Sequence, residues 1–324
     1  MNSIGTLYRI SIFGESHGKL IGVTLDGCPA GIPLKEEDFL KDLKRRQPGA
    51  LGTTPRIEKD LPNIVSGCFN GHTTGAPITI VFENQNTQSK DYDHLKKQPR
   101  PGHADWVAMQ KFGGFNDHRG GGHFSGRLTL GLVAAGVVAK KIAEPINISA
   151  KLIEAGGLSD IDKAIDIAVK EDESIGGIVE CKASPMPVGI GEPFFDSLES
   201  KIAHLVFSIP ATKGVEFGSG FPAARMKGSE HNDNILSLDG KTETNHAGGI
   251  NGGISNGNEL VFRVAVKPTS STGKSQNTLN VQSGKIEELK IGGRHDKCIA
   301  LRVPVVVESI AAIAIADLVL QGKR

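Results

Sequence analysis

Two histidines in the chain sit in settings suited to proton transfer. His17 lies in FGESHG (Phe13 to Gly18), where an acid, a hydroxyl and an imidazole stand side by side, fenced by glycines, just after the apolar run LYRISI. His103 lies in RPGHAD (Arg100 to Asp105), where Pro101 and Gly102 fix a turn and Arg100 and Asp105 flank the ring. Histidine is the side chain whose ordinary pKa falls between about 5 and 8, so either ring can give or take a proton near neutrality. The same sequence offers NDHRGGGHFSGR, with Arg119, His123, Ser125 and Arg127, then KPTSS (Lys267 to Ser271) and GRHD (Gly293 to Asp296). Planar arginine forks suit carboxylate and phosphate, and glycine-lined backbone amides suit phosphate. This is the inventory of a site for small polyanions.

Two other chemistries fit less well. A dinucleotide fingerprint starting at Gly120 would need glycine where Ser125 stands, and the GxxxxGK[ST] pattern is absent. His103, Asp105, Asp117, His118 and His123 could be offered to a metal, but no HExxH occurs and the interleaved arginines repel a cation. No metal is expected, and a metal-dependent phosphohydrolase is the second reading.

At 324 residues the chain can bury a large core. Lys plus Arg is 37 against 36 Asp plus Glu, a net charge of +1, which argues against a general binder of nucleic acid or anionic membrane. The cysteines Cys28, Cys68, Cys181 and Cys298 lie far apart, so neither a zinc site nor a disulfide framework is suggested and a reducing cytoplasm is expected. The start MNSIGTLYRI reads as a strand, with no charged-then-apolar leader. Glycine is frequent, 41 residues, and much of it clusters in RGGGHFSG, NHAGGINGGISNG and IGGRHD, as expected of loops whose backbone approaches a ligand.

The elements that must carry these loops are legible in outline. Pro33 to Arg46 has helix-start and helix-stop charges and one apolar face, so it should deliver Arg45 and Arg46 to a loop. APITIVFEN reads as a strand with Asn84 at its exit, and Ser125 to Glu144 as a helix apolar nearly all round, buried within the fold. Residues 146–209 read as a β-α-β-α string forming a self-contained layer, a subregion rather than a separate domain. NELVFRVAVKP is a further strand. The apolar run Val303 to Leu320 is broken by Pro304, Glu308 and Asp317, so it reads as a buried element rather than a membrane span.

From these residues the sequence resembles the chorismate synthase family. The matching segments run in family order: FGESHG, DGCPAGIPL, RRQPG, SGCFNGHTTGAPI, RPGHAD, RGGG, AAGVVAKK, SIPATKGVEFG, NHAGGINGGISNG, KPTSS and GRHDKC. The resemblance implies an α+β fold, a β-α-β sandwich with central helices between antiparallel sheets, as a single large domain over 1–324, assembled as a homotetramer. It implies a cytoplasmic lyase that eliminates phosphate and a ring hydrogen from 5-enolpyruvylshikimate 3-phosphate to give chorismate. Reduced FMN would be required, with NADPH only as a source of flavin reduction. By the same resemblance His17, His103 and Asp296 would be catalytic, and Arg46, Arg100 and Arg127 would line the substrate or NADP pocket. FMN would be held by His123, Phe124, Ser125, Ala211, Gly252, Lys267, Pro268, Thr269, Ser270, Ser271 and Arg294. The chain departs from the family's usual GGGRxSARET, reading GGGHFSGRLT, so His123, Gly126 and Leu128 replace an arginine, an alanine and an acid. If His123 faces the ligand in place of that arginine, ligand affinity should weaken as pH rises from about 6 to 8.

Overall fold

The computed structural model describes residues 2–54, 58–85, 95–292 and 295–322. Its first sheet is built from β1 (Ser3–Ile4), β2 (Arg9–Gly14), β3 (Leu20–Asp26), β4 (Asn63–Ser66) and, after the small hairpin β5 (Cys68–Phe69) and β6 (His72–Thr73), β7 (Ile78–Glu83). The five strands run in the order β1-β2-β3-β7-β4, every neighbour antiparallel. The period of two works as expected in β7, where Ile78, Ile80 and Phe82 are buried and alternate with less buried neighbours. The second sheet comprises β8 (Asn147–Ala155), β9 (Gly177–Ser184), β10 (Thr212–Phe217) and, after the hairpin β11 (Ile250–Asn251) and β12 (Ile254–Ser255), β13 (Leu260–Val266). Its order is β10-β13-β9-β8, again antiparallel. A last hairpin, β14 (Gln276–Asn280) and β15 (Lys285–Leu289), stands apart from both sheets.

The helices are α1 (Glu37–Arg46), α2 (Asp105–Lys111), α3 (Thr129–Ile142), α4 (Ile161–Lys170), α5 (Leu198–Val206), the single turn α6 (Gly228–His231) and α7 (Pro304–Gly322). Helix α3 packs on β2 and β3 of the first sheet, α7 on β8 and β9 of the second, and α3 and α7 lie against each other. The result is a sandwich with helices between antiparallel sheets. The two helices approach closely at Gly136, where a side-chain carbon would fall 2.3 Å from Ser309 Cβ, so only glycine fits. By length and composition α7 could cross a membrane, yet 78% of that stretch is buried inside the protein.

Two acids interrupt the apolar surface of α7, and both are used as anchors. Glu308 accepts from Arg45 at 2.6 and 2.7 Å, from Lys140 at 3.2 Å and from the Ala150 N–H at 2.8 Å, tying α1, α3 and β8 to α7. Asp317 accepts the backbone N–H groups of Thr6, Leu7 and Tyr8, at 2.7 to 3.1 Å. Buried carboxylates so satisfied fix register rather than merely adding stability.

Three expectations need correction. The opening stretch is not one strand: it breaks between β1 and β2 at Gly5 (φ 107°), and the freed N–H groups turn to Asp317. The long central helix begins at Thr129 rather than Ser125, because the Ser125 hydroxyl caps a separate short 3-10 turn by accepting from the Arg127 N–H. Residues 146–209 are not a self-contained layer either. Strand β13, from the last third of the chain, pairs β9 on one side and β10 on the other.

Candidate active site

A cleft of about 620 Å³ opens where the end of α1, the 100–104 turn, the glycine loop before α3, the start of β10 and the segments after β13 and β15 converge. One wall is cationic. Arg46, Arg127 and Arg302 all line it, together with Asp60 and Asp296. Helix α1 is amphipathic, with Phe39 and Leu43 in the core, and its last turn carries Arg46 inward, leaving it 3% exposed. Burial pushes the Arg46 guanidinium down and Arg302 adds to that push, while Asp60 holds it up. Its Nε is buried with no hydrogen-bond partner among the described residues. Arg127 donates from Nη1 to Asp60 Oδ1 at 2.8 Å and from Nε to Asn84 Oδ1 at 2.5 Å. Asp296 receives the Thr54 N–H at 3.0 Å and lies 3.2 Å from Arg302 Nη1, whose Nε in turn donates to the Arg46 carbonyl at 2.8 Å. Buried charges are thus paired in part and one N–H is left for an anion.

His103 forms the second cluster. Its Nδ1 lies 2.6 Å from Asp105 Oδ1, and Arg100 donates to the same carboxylate through Nε (2.7 Å) and Nη2 (2.8 Å). Burial pushes Asp105 up, but the hydrogen bonds from Arg100 and His103 outweigh it and hold the carboxyl well below the usual carboxylate range. With Nδ1–H donating to the carboxylate, Nε2 is the accepting nitrogen, 3.2 Å from Arg100 Nη2, and is the atom through which His103 can exchange a proton. Arg100, also bonded to Ser271 at 3.2 Å, is chiefly engaged in this cluster.

The glycine loop separates the cleft from His17. Gly120, Gly121 and Gly122 all have positive φ, and a side-chain carbon on Gly120 would fall 2.5 Å from the His17 ring. His17 is 7% exposed; its ring packs on Gly120, which lines the cleft, while His17 itself sits one backbone layer behind. His123 lines the cleft, but its ring nitrogens bond elsewhere, Nδ1 to the Gly14 carbonyl at 2.9 Å and Nε2 to Asn2 Oδ1 at 3.1 Å. The expectation that its imidazole replaces an arginine fork toward the ligand is therefore corrected: the ring ties the loop to the end of β2. Phe124 and Ser125 do reach the cleft.

The third group comprises Ala211, Lys267, Thr269, Ser270 and Ser271, all on the cleft wall, joined by Thr212. Ala211 has φ 72°, and its carbonyl accepts the Lys267 N–H at 2.9 Å. Burial lowers the Lys267 pKa, and Lys213 lowers it further, so this ammonium would gain from an anion. Thr212 Oγ1 is buried without a partner among the described residues. Pro268 does not line the cleft, although its neighbours do. Gly252 does not either: it occupies the exposed turn between β11 and β12. Arg294 lies outside the described residues. Sequence reasoning missed Thr54, Asp60, Thr212 and Arg302; Asp60 and Arg302 stand outside the glycine-rich motifs, while Thr212 lies within SIPATKGVEFG and Thr54 follows Gly52 by two residues. It also passed over GISNG (Gly253 to Gly257), which spells GxSxG. Ser255 is no nucleophile, since its buried hydroxyl donates to the Pro187 carbonyl and accepts the Ile190 N–H.

No group of three or more His, Cys, Asp or Glu side chains suited to a metal occurs among the described residues. Comparison with known proteins agrees with the resemblance. A sequence model described as chorismate synthase matches residues 8–320. A chorismate synthase of Chitinophaga pinensis is 65% identical over 325 residues, covering all of this chain and 98% of its own. One from Korarchaeum cryptofilum is 46% identical over 352 residues, covering 99% of this chain and 98% of its own. A chorismate synthase crystal structure superposes with a TM-score of 0.75 at 28% identity, covering 98% of this chain and 93% of that one.

Proposed function

The chain belongs to the chorismate synthase family, and we propose that it is the lyase that converts 5-enolpyruvylshikimate 3-phosphate to chorismate with reduced FMN. The observation that carries this reading is the buried, unpartnered Nε of Arg46 beside Arg127 and Arg302, in one cleft with His103, whose ring is held by Asp105. A substrate with one phosphate and two carboxylates matches those cations. The reaction breaks the C–O bond to phosphate, whose oxygen leaves with the bonding pair, and removes one ring hydrogen. His103 holds a proton at Nε2 for the departing phosphate oxygen. Asp296, set by Thr54 and Arg302, is placed to receive the ring proton. His17, which packs on Gly120 behind the loop, would donate its proton toward the cofactor rather than to the substrate, the role the family resemblance implies.

The cleft fits a phosphorylated planar cofactor. The orphaned Thr212 hydroxyl and the Lys267 ammonium, which donates to Ser270 Oγ at 3.1 Å, are what such a group would satisfy. Ser125, Ala211, Thr212, Lys267, Thr269 and Ser270 would hold it. When bound, reduced FMN lends electron density that helps phosphate leave and takes it back as the hydrogen is lost, with no net redox change. NADPH enters only as an external source of flavin reduction.

Self-association, as a homotetramer by the family resemblance, is consistent with the large apolar side chains left exposed outside the cleft, Phe194, Phe195, Phe221, Leu236 and Leu238 among them, which another copy would cover. Four unpaired cysteines fit a reducing cytoplasm. The test is anaerobic phosphate release from the enolpyruvyl substrate with and without reduced FMN. Release only with reduced flavin, with chorismate absorbance, is the expected result. Chelator-sensitive release without flavin would instead mark a metal-dependent hydrolase, and flavin binding without release an inactive relative.

A further inference from the structure

Asn84, immediately after β7, joins two parts of the site that come from different elements. Its backbone N–H donates to Lys19 O at 3.2 Å, which sets it beside the FGESHG turn. Its carboxamide Nδ2 donates to two carbonyls of that turn, Glu15 O at 3.0 Å and Gly18 O at 2.9 Å. Its Oδ1 accepts from Arg127 Nε at 2.5 Å. The orientation is not interchangeable. Turned over, the amide would set its own N–H groups against that of Arg127 and an oxygen against two carbonyl oxygens. The same turn holds the glycine loop, because the Ser16 N–H donates to Gly122 O at 3.1 Å and the His17 ring packs on Gly120. One planar group therefore fixes the seat of His17 relative to the fork of Arg127.

We propose that Asn84 is a positioning residue that locks the His17 turn and the Arg127 guanidinium into one unit, keeping the proton donor in register with the anion handle. This rests on the reading of His17 as a proton donor given above. A clamp that served folding alone would change stability without distinguishing turnover from substrate binding.

Asn84→Asp separates the two roles. The aspartate keeps an acceptor for Arg127 but faces Glu15 O and Gly18 O with a second oxygen, which opens the turn. Chorismate formation with reduced FMN is measured for wild type, His17→Ala, Asn84→Asp and the double variant, with thermal melts as the check on folding. We expect Asn84→Asp to lower kcat roughly 10- to 100-fold while KM stays within about threefold. In the His17→Ala background the same change should cost less than about threefold, since the partner it positions is already gone. Fully multiplicative losses, or a raised KM with kcat intact, would overturn the proposal. If His17→Ala alone leaves kcat intact, the reading of His17 falls and the proposal with it. If His17→Ala lowers kcat but Asn84→Asp does not, the proposal alone falls. Should the aspartate variant not fold, Asn84→Ser, which drops both sets of contacts, enters the same cycle and is judged by the same non-additivity in kcat.

Discussion

Asp60 Oδ1 lies 2.8 Å from Arg127 Nη1, and the other oxygen of the same buried carboxylate lies 3.7 Å from Arg46 Nη2. An acid inside a site for polyanions looks misplaced until its effect on the arginines is considered. Two buried cations, Arg46 and Arg127, facing each other without a counter-charge would repel and splay, and Asp60 holds them at a fixed separation. Its backbone is in the left-handed region, φ 49°, a conformation asparagine also tolerates. Asp60→Asn should therefore keep the shape and remove only the charge. We expect a loss of stability of about 3 kcal/mol, as for breaking one partner of a buried ion pair. Inorganic phosphate should raise the Tm of the variant more than that of wild type, because the anion replaces the missing charge. Equal phosphate shifts in the two proteins would show that Asp60 does not shape the anion site.

The cluster of Arg100, His103 and Asp105 gives a prediction in pH. Asp105 is held below the usual carboxylate range in the folded protein, so its contribution to stability is fully present above the unfolded value of about 3.9 and is lost as pH falls from there toward the folded value. Asp105→Asn abolishes that contribution at every pH. The difference in Tm between wild type and variant should be constant from about pH 8 to 5 and should close below about pH 4. A difference that instead changed between pH 6 and 8 would place the coupling on the histidine rather than on the carboxylate.

Much of this was legible in the sequence. His103, Ser125, Arg127, Lys267 and Asp296 stand in motifs whose residue types announce anion and proton chemistry, and the structure brings all five to one cleft. Strand β7 and helix α1 follow their periodicities because one face of each meets the core. What could not be read was set by distant contacts. The pairing of β13 with β9 spans about a quarter of the chain, and nothing local in NELVFRVAVKP names its partners β9 and β10. Asp60 and Arg302 sit in unremarkable stretches and matter because folding brings Asp60 to Arg46 and Arg127 and sets Arg302 on the Arg46 carbonyl. His123 shows the converse. Its place in the glycine loop suggested a ligand contact, and the N-terminal residues Asn2 and Gly14, more than 100 positions away, claim its ring instead.

Thr212 offers a test of cofactor binding with opposite signs in the two states. A buried hydroxyl without a partner costs the free protein stability, and valine has nearly the same shape without that group. Thr212→Val should leave the Tm of the cofactor-free protein unchanged or raise it. FMN affinity, followed by flavin fluorescence, should weaken about tenfold, the worth of a hydrogen bond of about 1.4 kcal/mol. Unchanged FMN affinity would mean that the hydroxyl faces something other than the cofactor.

The last prediction concerns His123. With Nδ1 on the Gly14 carbonyl and Nε2 on Asn2, the imidazole acts as a rivet between the glycine loop, the end of β2 and the N-terminal residues. Removing it should act on the loop's position and not on a charge presented to the ligand. His123→Ala should lower the Tm, since the half-buried ring's packing and its hydrogen bond to the Gly14 carbonyl, worth about 1 kcal/mol, are lost. FMN affinity should weaken as the loop carrying Phe124 and Ser125 loosens, and by the same factor at pH 6 and at pH 8. FMN titrations of wild type and variant at the two values decide it. If the ring faced the flavin phosphate, its charged form would bind more tightly at the lower pH, and the ratio of variant to wild-type Kd would grow as pH falls. A constant ratio, with a lowered Tm, assigns His123 to the loop's anchorage.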